Sequence, residues 1–146
     1  MTPSEYQNPI LCADYSDPDI VRVGDDFFMV SSSFNHVPAL PILHSTDLVN
    51  WTIINHVMDE LPLPGYDRYQ PGKGVWAPSI RWHDGKLWVC FSTPDEGIFI
   101  CHTEDPWGEW SAPHCLREAR GWIDPCPFWD DNGQAWLVHA FAHSRS

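Results

Sequence analysis

Short apolar runs alternate with polar turn residues along most of the 146-residue chain. Each run is about four to six residues long, is rich in Val, Ile, Phe and Trp, and is bounded by turn residues, as is typical of β-strands. No segment combines a helix cap with three turns of apolar residues at helical spacing, so the pattern predicts an all-β protein. The predicted strands are Ile20–Val23, Phe27–Ser31, Ile80–Trp82, Leu87–Phe91, Ile98–His102, Pro127–Trp129 and Ala135–His139.

Three residue pairs between these strands carry the signal for tight turns. Asp84-Gly85 and Asn132-Gly133 match the two-residue hairpin turn, in which both central residues need positive φ. Gly24-Asp25 is a looser version of the same signal. We therefore expect three antiparallel hairpins.

The hairpins form an internal repeat. DPDIVRVGDDFFMVSSSF from Asp17, APSIRWHDGKLWVCFST from Ala77 and DPCPFWDDNGQAWLVHAF from Asp124 each open on a small or acidic residue and a proline. Each then runs through a strand, a turn and a second strand. The opening proline recurs after 60 and then 47 residues, and a period of about 40–50 residues is typical of propeller blades.

A second repeat follows the first. HSTDLVNW from His44 aligns with HTEDPWGEW from His102, and in each a tryptophan opens a further strand. A module thus has four antiparallel strands, as in a propeller blade. We expect residues 1–146 to be the N-terminal, incomplete part of one propeller domain, with a surface loop at 59–75 and blade edges through which it could associate.

The repeat places an aspartate at the same position in its first and third copies. Equivalent positions in radial blades point at one central axis, so Asp17 and Asp124 would face a common site. The alternative is that Asp-Pro only starts a strand, since Asp favours turns. Ala77 in the second copy argues against this alternative, because it shows that the turn does not need Asp. The following proline predicts an extended backbone at both aspartates.

Two aromatic residues lie close to these positions in the sequence. Trp76 directly precedes Ala77, and Phe34 follows the first hairpin in the polar stretch SSSFNHVP. Either residue could pack in the core. Their alternative role is an aromatic wall for a sugar ring, whose C–H faces stack on such side chains.

Composition excludes some classes of ligand. The net charge is −12, and no basic face is visible that could neutralise nucleic-acid phosphates or an anionic membrane. A neutral polar ligand such as a sugar is compatible with this charge, and the nine tryptophans suit sheet packing and sugar stacking alike.

Cysteine and histidine spacing gives no sign of a metal site or a cofactor. The five cysteines include no CxxC pair, and the eight histidines form no HExxH spacing. We expect Cys90 and Cys101 to be buried as small apolar residues. The N-terminus lacks a basic segment followed by an apolar run, so we expect a cytoplasmic protein without a secretory signal.

Several segments carry a resemblance to a known family. In order and spacing, NPIL, DYSDPDIVRVGDDFFMVSSSF, LPILHSTDLVNW, GVWAPSIRW and GWIDPCPFWDDNG resemble glycoside hydrolase family 43 of the β-xylosidase/α-L-arabinofuranosidase type, over roughly residues 8–142. The resemblance implies a five-bladed propeller, of which this chain holds about two and a half blades. It also implies an inverting hydrolase of xylose- or arabinose-containing plant polysaccharides and oligosaccharides.

The resemblance assigns roles to residues at matching positions. It implies Asp17 as the general base, Asp124 as the carboxylate that tunes the pKa of the acid and orients it, and Trp76 and Phe34 as substrate-binding residues. The family's general acid is a glutamate in a Glu-Gly-Pro-like motif, which this sequence lacks. Without that acid these residues alone are expected to be inactive. The alternative function is a non-catalytic carbohydrate-binding propeller module.

Overall fold

The computed structural model describes residues 5–145, which form ten β-strands and one short 3₁₀ turn with no α-helix among them. The all-β prediction is therefore confirmed for this part of the chain. The strands are β1 (Asp19–Val23), β2 (Asp26–Val30), β3 (Ala39–Ser45), β4 (Thr52–Met58), β5 (Trp76–His83), β6 (Lys86–Thr93), β7 (Gly97–Thr103), β8 (His114–Glu118), β9 (Trp122–Trp129) and β10 (Ala135–Phe141).

The strands form two four-stranded sheets and a hairpin. The first sheet has the order β1-β2-β3-β4, the second has β5-β6-β7-β8, and β9 pairs with β10. All neighbouring strands are antiparallel. The repeat of a four-stranded module is thus confirmed. The five-bladed architecture of the whole protein stays a prediction.

The seven strands with predicted bounds are all present, and the structure gives the bounds of β3, β4 and β8, which the second repeat predicted without bounds. The segment of β3 is an almost continuous buried run, ALPILHS, interrupted by a proline. The outer strand β8 is largely exposed and polar, with the sequence HCLRE, whereas β4, TIINHVM, is mostly half-buried and has polar residues between its apolar ones. Neither strand is a continuous apolar run, so a pattern of such runs does not give their bounds.

One turn differs from its prediction. Asp84 and Gly85 both have positive φ, 49° and 75°, and join β5 to β6 as expected. At the third hairpin Asp130 N–H donates to the Gln134 carbonyl (3.0 Å), which leaves a three-residue loop in which Gly133 alone has positive φ. The Asp130 carboxylate accepts hydrogen bonds from the backbone N–H groups of Asn132 and Gln134, and this side-chain cap selects the longer loop.

The hydrophobic core is built from the first two sheets. Two hydrogen bonds also join the sheets: the Asn55 side chain on β4 donates to the carbonyls of Pro106 and Gly108, which follow β7. The loop at 59–75 closes over the core through Leu61. Fully buried core side chains include Val30, Leu40, Ile42, Val75, Ile80, Val89 and Phe91.

Candidate active site

Each repeat opens on a residue with left-handed backbone. The φ angles of Asp17, Ala77 and Asp124 are 50°, 21° and 53°. The prediction of an extended backbone at the two aspartates is therefore wrong. A left-handed backbone is strained for residues other than glycine, and strain of this kind is concentrated at functional sites.

A β-bulge accounts for this backbone. In all three repeats the opening residue and its proline lie opposite a single residue of the partner strand, and we call this feature the opening bulge. A bulge bends the strand and re-aims a side chain, and this geometry overrides the extended preference of a residue before proline. The flanking pairs are Ser16–Ser32 and Asp19–Val30, Trp76–Ser92 and Ser79–Cys90, and Ile123–Ala140 and Cys126–Val138.

The three opening bulges lie side by side because the strands that follow them are in contact. β5 contacts both β1 and β9. Arg81 on β5 lies between the two neighbours: one guanidinium nitrogen donates to Asp19 Oδ2 (2.5 Å) and the other to Cys126 Sγ (2.9 Å). The Ser79 hydroxyl also donates to the Pro125 carbonyl (2.6 Å). These contacts join the first strands of all three repeats.

The two aspartates are electrostatically coupled. The pKa of Asp124 is raised from its ordinary value, first by burial and second by the negative charge of Asp17. Asp17 in turn accepts a hydrogen bond from the Ser32 hydroxyl at 2.7 Å. Both aspartates are exposed to solvent. The structure thus brings together the two carboxylates singled out in the sequence, in a place that a solvent molecule can reach.

Ser32 is a site residue that sequence reasoning missed. In the sequence it is one of three consecutive serines at a strand end, which gives no sign of chemistry. The repeat held the signal, since Ser32 and Ser92 occupy the same position opposite their opening bulges. The third repeat has Ala140 at this position, so the serine is shared by the first two repeats, and in the described residues only Ser32 bonds the opening aspartate.

The two aromatic residues also meet. The rings of Phe34 and Trp76 are edge to face, with centroids 5.8 Å apart and planes at 79°. Gly74 allows this approach: a Cβ there would lie 2.1 Å from the Ser33 carbonyl oxygen, so only glycine fits. Ser33 and Val75 then form an antiparallel bridge that fixes Phe34 next to Trp76.

A cavity of about 270 Å³ lies next to Phe34, which is one of its lining residues. It is bounded by the segment after β2 and by the loop at 59–75. The size suits a small polar ligand, and the lining mixes aromatic with hydrogen-bonding groups. Lining side chains include Phe34, Asn35, His36, Tyr66, Tyr69 and Gln70.

The remaining features concern the buried cysteines, metal ligands and membrane spans. Cys90 and Cys101 are buried, as predicted, and burial raises the pKa of each thiol to about 12. Within residues 5–145 no group of three His, Cys, Asp or Glu side chains is placed to hold a metal ion. No helix in this described part is long and apolar enough to span a membrane.

Comparison with known proteins identifies the family. The model of the family described as "Glycosyl hydrolases family 43" matches residues 6–146. This chain belongs to glycosyl hydrolase family 43. The match covers both four-stranded sheets, the hairpin and all three opening bulges, so the resemblance drawn from the sequence motifs is confirmed.

Individual relatives are xylosidases and arabinosidases by name. The chain is 42% identical over 137 residues to "Xylosidase/arabinosidase" of Butyrivibrio fibrisolvens, covering 90% of this chain and 26% of that protein. It is 38% identical over 127 residues to "Non-reducing end alpha-L-arabinofuranosidase BoGH43B" of Bacteroides ovatus, covering 82% and 23%. The chain spans about a quarter of the length of the curated relatives it matches.

The fold agrees with a solved structure of the same family. The GH43 protein BlXynB from Bacillus licheniformis superposes with a TM-score of 0.83 at 31% identity, covering 92% of this chain and 29% of that one. The two sheets and the hairpin of this family 43 chain therefore have the arrangement found in a crystal structure of a relative.

Proposed function

We propose that this family 43 chain carries the base-containing part of an inverting glycosidase. The observation behind the proposal is the coupled carboxylate pair: Asp17 and Asp124 occupy equivalent strained bulges on neighbouring repeats, and the charge of one raises the pKa of the other. In an inverting glycosidase one carboxyl group activates water, and a second one, about 6.5–9.5 Å away, protonates the leaving oxygen. We propose Asp17 for the first role, and Asp124 for neither of the two.

Asp17 is the proposed general base. Its carboxylate accepts a proton from the attacking water, and the hydrogen bond from Ser32 orients it. None of the six glutamates of the chain lies in a Glu-Gly-Pro-like motif. We therefore propose that the general acid is a residue outside these 146.

Asp124 is the proposed neighbour of that acid. A negative charge beside a glutamic acid raises its pKa, so that the acid keeps the proton it must donate at neutral pH. Asp124 would also orient the acid through a hydrogen bond.

The proposed substrates are non-reducing-end xylose or arabinofuranose units of hemicellulose or arabinan. The names of the relatives support this class, and the perpendicular pair of Phe34 and Trp76 supplies an apolar wall for the C–H face of a sugar. The charge of −12 disfavours anionic substrates.

The proposal is tested with the full-length gene product on nitrophenyl β-xyloside and nitrophenyl α-L-arabinofuranoside. We expect hydrolysis of at least one of them, with inversion at the anomeric carbon seen by NMR. Asp17→Ala should reduce the rate by about 10²–10⁴-fold, and azide or formate should restore part of it. Asp25→Ala, at a fully exposed aspartate in the same sheet, is the matched control.

The outcomes separate the enzyme from a carbohydrate-binding module. One outcome is that neither glycoside is hydrolysed, but Trp76→Ala abolishes the binding of xylo- or arabino-oligosaccharides. The protein is then a non-catalytic carbohydrate-binding module. Retention of configuration, or full activity of Asp17→Ala, would contradict the assignment of the base.

A further inference from the structure

Trp76 is held by contacts that the proposed chemistry does not use. Its indole Nε1–H donates to the Gly72 carbonyl at 3.0 Å. The Arg145 guanidinium lies over its ring, with Cζ 5.1 Å from the centroid, and donates to the same Gly72 carbonyl at 3.2 Å. The perpendicular contact with the Phe34 ring adds to these interactions, so the indole is held by three neighbours.

Arg145 is in turn held by Asp95, in the turn between β6 and β7. The Asp95 side chain is only 15% exposed, and its Oδ2 lies 3.8 Å from the Arg145 guanidinium and 3.2 Å from Lys73 Nζ. Its Oδ1 lies 3.6 Å from Arg120 Nε. One poorly hydrated carboxylate thus faces three cations, and two of these are tied to Trp76 through Gly72 or its neighbour.

The neighbouring residue supports the same loop. The Tyr66 hydroxyl donates to Glu96 Oε2 at 2.9 Å, and burial together with this hydrogen bond raises the pKa of Tyr66. The acidic turn of the second sheet therefore holds the loop at 59–75 at two points, Tyr66 and Lys73. Lys73 is three residues before Trp76 in the sequence, and Tyr66 lines the cavity beside Phe34.

We propose that Asp95 is a positioning residue for sugar binding, which fixes the Trp76 wall through Arg145 and Lys73. The proposal rests on the function proposed above, since it assumes that Trp76 faces the substrate. A buried carboxylate is costly unless cations compensate it, so removing its charge should release both cations rather than leave them in place. Without the guanidinium above it, the indole loses a cation–π contact and its fixed orientation.

The kinetic test compares Asp95→Asn and Arg145→Gln in the full-length protein. An aromatic wall stabilises the bound substrate and its transition state to the same extent. Weakening such a wall therefore changes KM and leaves kcat unchanged. We expect KM for a xylo- or arabino-oligosaccharide to rise about three- to tenfold in both variants, in line with the strength of a cation–π contact. We expect kcat to change less than about twofold. Glu104→Gln, which removes the exposed ion pair with Lys86, is the matched control and should match wild type.

A spectroscopic readout keeps the proposal testable without turnover. In protein labelled with 5-fluorotryptophan, the ¹⁹F resonance of Trp76 is assigned by its loss in Trp76→Phe. Asp95→Asn and Arg145→Gln should shift that resonance in the same direction, whereas Glu104→Gln should not. Arg145→Lys, which keeps the charge, should shift it less and retain more sugar affinity.

Three results would overturn the proposal. One is an unmoved Trp76 resonance in Asp95→Asn, and another is a change in kcat equal to that in KM. A third is a lower melting temperature with unchanged KM, which would make Asp95 purely structural. If Asp95→Asn does not fold, Arg145→Gln and Arg145→Lys decide by the same criteria. If wild type hydrolyses nothing, the function proposed above fails, whereas the ¹⁹F shifts and sugar binding still decide the role of Asp95.

Discussion

The first and second sheets have the same opening bulge but differ in the groups it presents. In the first sheet the bulge carries Asp17, which accepts a hydrogen bond from Ser32. In the second sheet it carries Ala77, and the equivalent Ser92 is fully buried and its hydroxyl has no hydrogen-bond partner within residues 5–145. The backbone is left-handed in both cases. The strained backbone is therefore a property of the repeat, and the carboxylate is a separate addition to it.

The conformational cost of the opening bulge and the chemistry of its carboxylate therefore have separate origins. The bulge and its proline cost conformational energy in every repeat, including the second, where no carboxylate is gained. The hydroxyl of Ser92 adds a buried polar group without a partner, which costs about 1–3 kcal/mol. The second sheet is thus a natural reference for what the opening bulge does without its aspartate.

The largest effect is expected when the third repeat is made to resemble the second, by Asp124→Ala. The loss of a negative neighbour should lower the pKa of the general acid, so the alkaline limb of the pH–rate profile should move to lower pH. Substrates with poor leaving groups should suffer most, by about 10²–10⁴-fold, because they need the proton. An unmoved limb with equal loss for all leaving groups would make Asp124 a ligand of a sugar hydroxyl instead.

A smaller effect is expected from deleting each serine hydroxyl. Ser32→Ala removes a hydrogen bond that orients the base and should lower kcat about tenfold. Ser92→Ala, the matched control, should leave activity unchanged and stability equal or higher, since it removes an unpaired hydroxyl. Urea unfolding and pH–rate profiles measure both. Equal effects of the two substitutions would contradict the comparison.

A still smaller effect on activity is expected from adding a carboxylate to the second sheet. Ala77→Asp would place a third negative charge beside the coupled pair, with Ala77→Ser as the neutral control. Like charges disfavour ionisation, so the acidic limb of the pH–rate profile should move up by roughly one pH unit. An acidic limb that stays in place would show that the second opening bulge does not point at the same site.

The smallest effect concerns stability. The folded-state pKa of Asp124 is raised above its ordinary value of 3.8, so its ionisation opposes folding. The stability contributed by the neutral form is present below that value and is lost as the pH rises through the folded pKa. Asp124→Asn should therefore melt higher than wild type at about pH 7, and the gain should vanish near about pH 3. A gain that does not depend on pH would point to packing instead of charge.

The sequence predicted the repeat and the pairing of its strands because both leave a local signal. Apolar runs marked the inner strands, and Asp84-Gly85 marked a turn through the φ angles that it tolerates. The matched positions of Asp17 and Asp124 identified the coupled pair. Each of these inferences needs only neighbouring residues or the comparison of one repeat with another.

The features that were missed depend on contacts across strands. The proline rule predicted extended backbone at both aspartates, but the register of the partner strands imposes a bulge there. The third turn has three residues because the Asp130 carboxylate caps backbone N–H groups inside the loop. The roles of Ser32 and Asp95 arise from partners 15 or more residues away along the chain. No pattern within one strand encodes such partners.

The opening bulge also bears on how such a site can arise. Alanine and aspartate codons can differ by a single base, and the backbone at this position already accepts either residue. A module with Ala at its opening bulge can therefore acquire a carboxylate there in one mutational step, without any rearrangement of the sheet. By the same single step a module can lose its carboxylate and keep its backbone. The number of carboxylates on the opening bulges can thus change while the sheets stay the same.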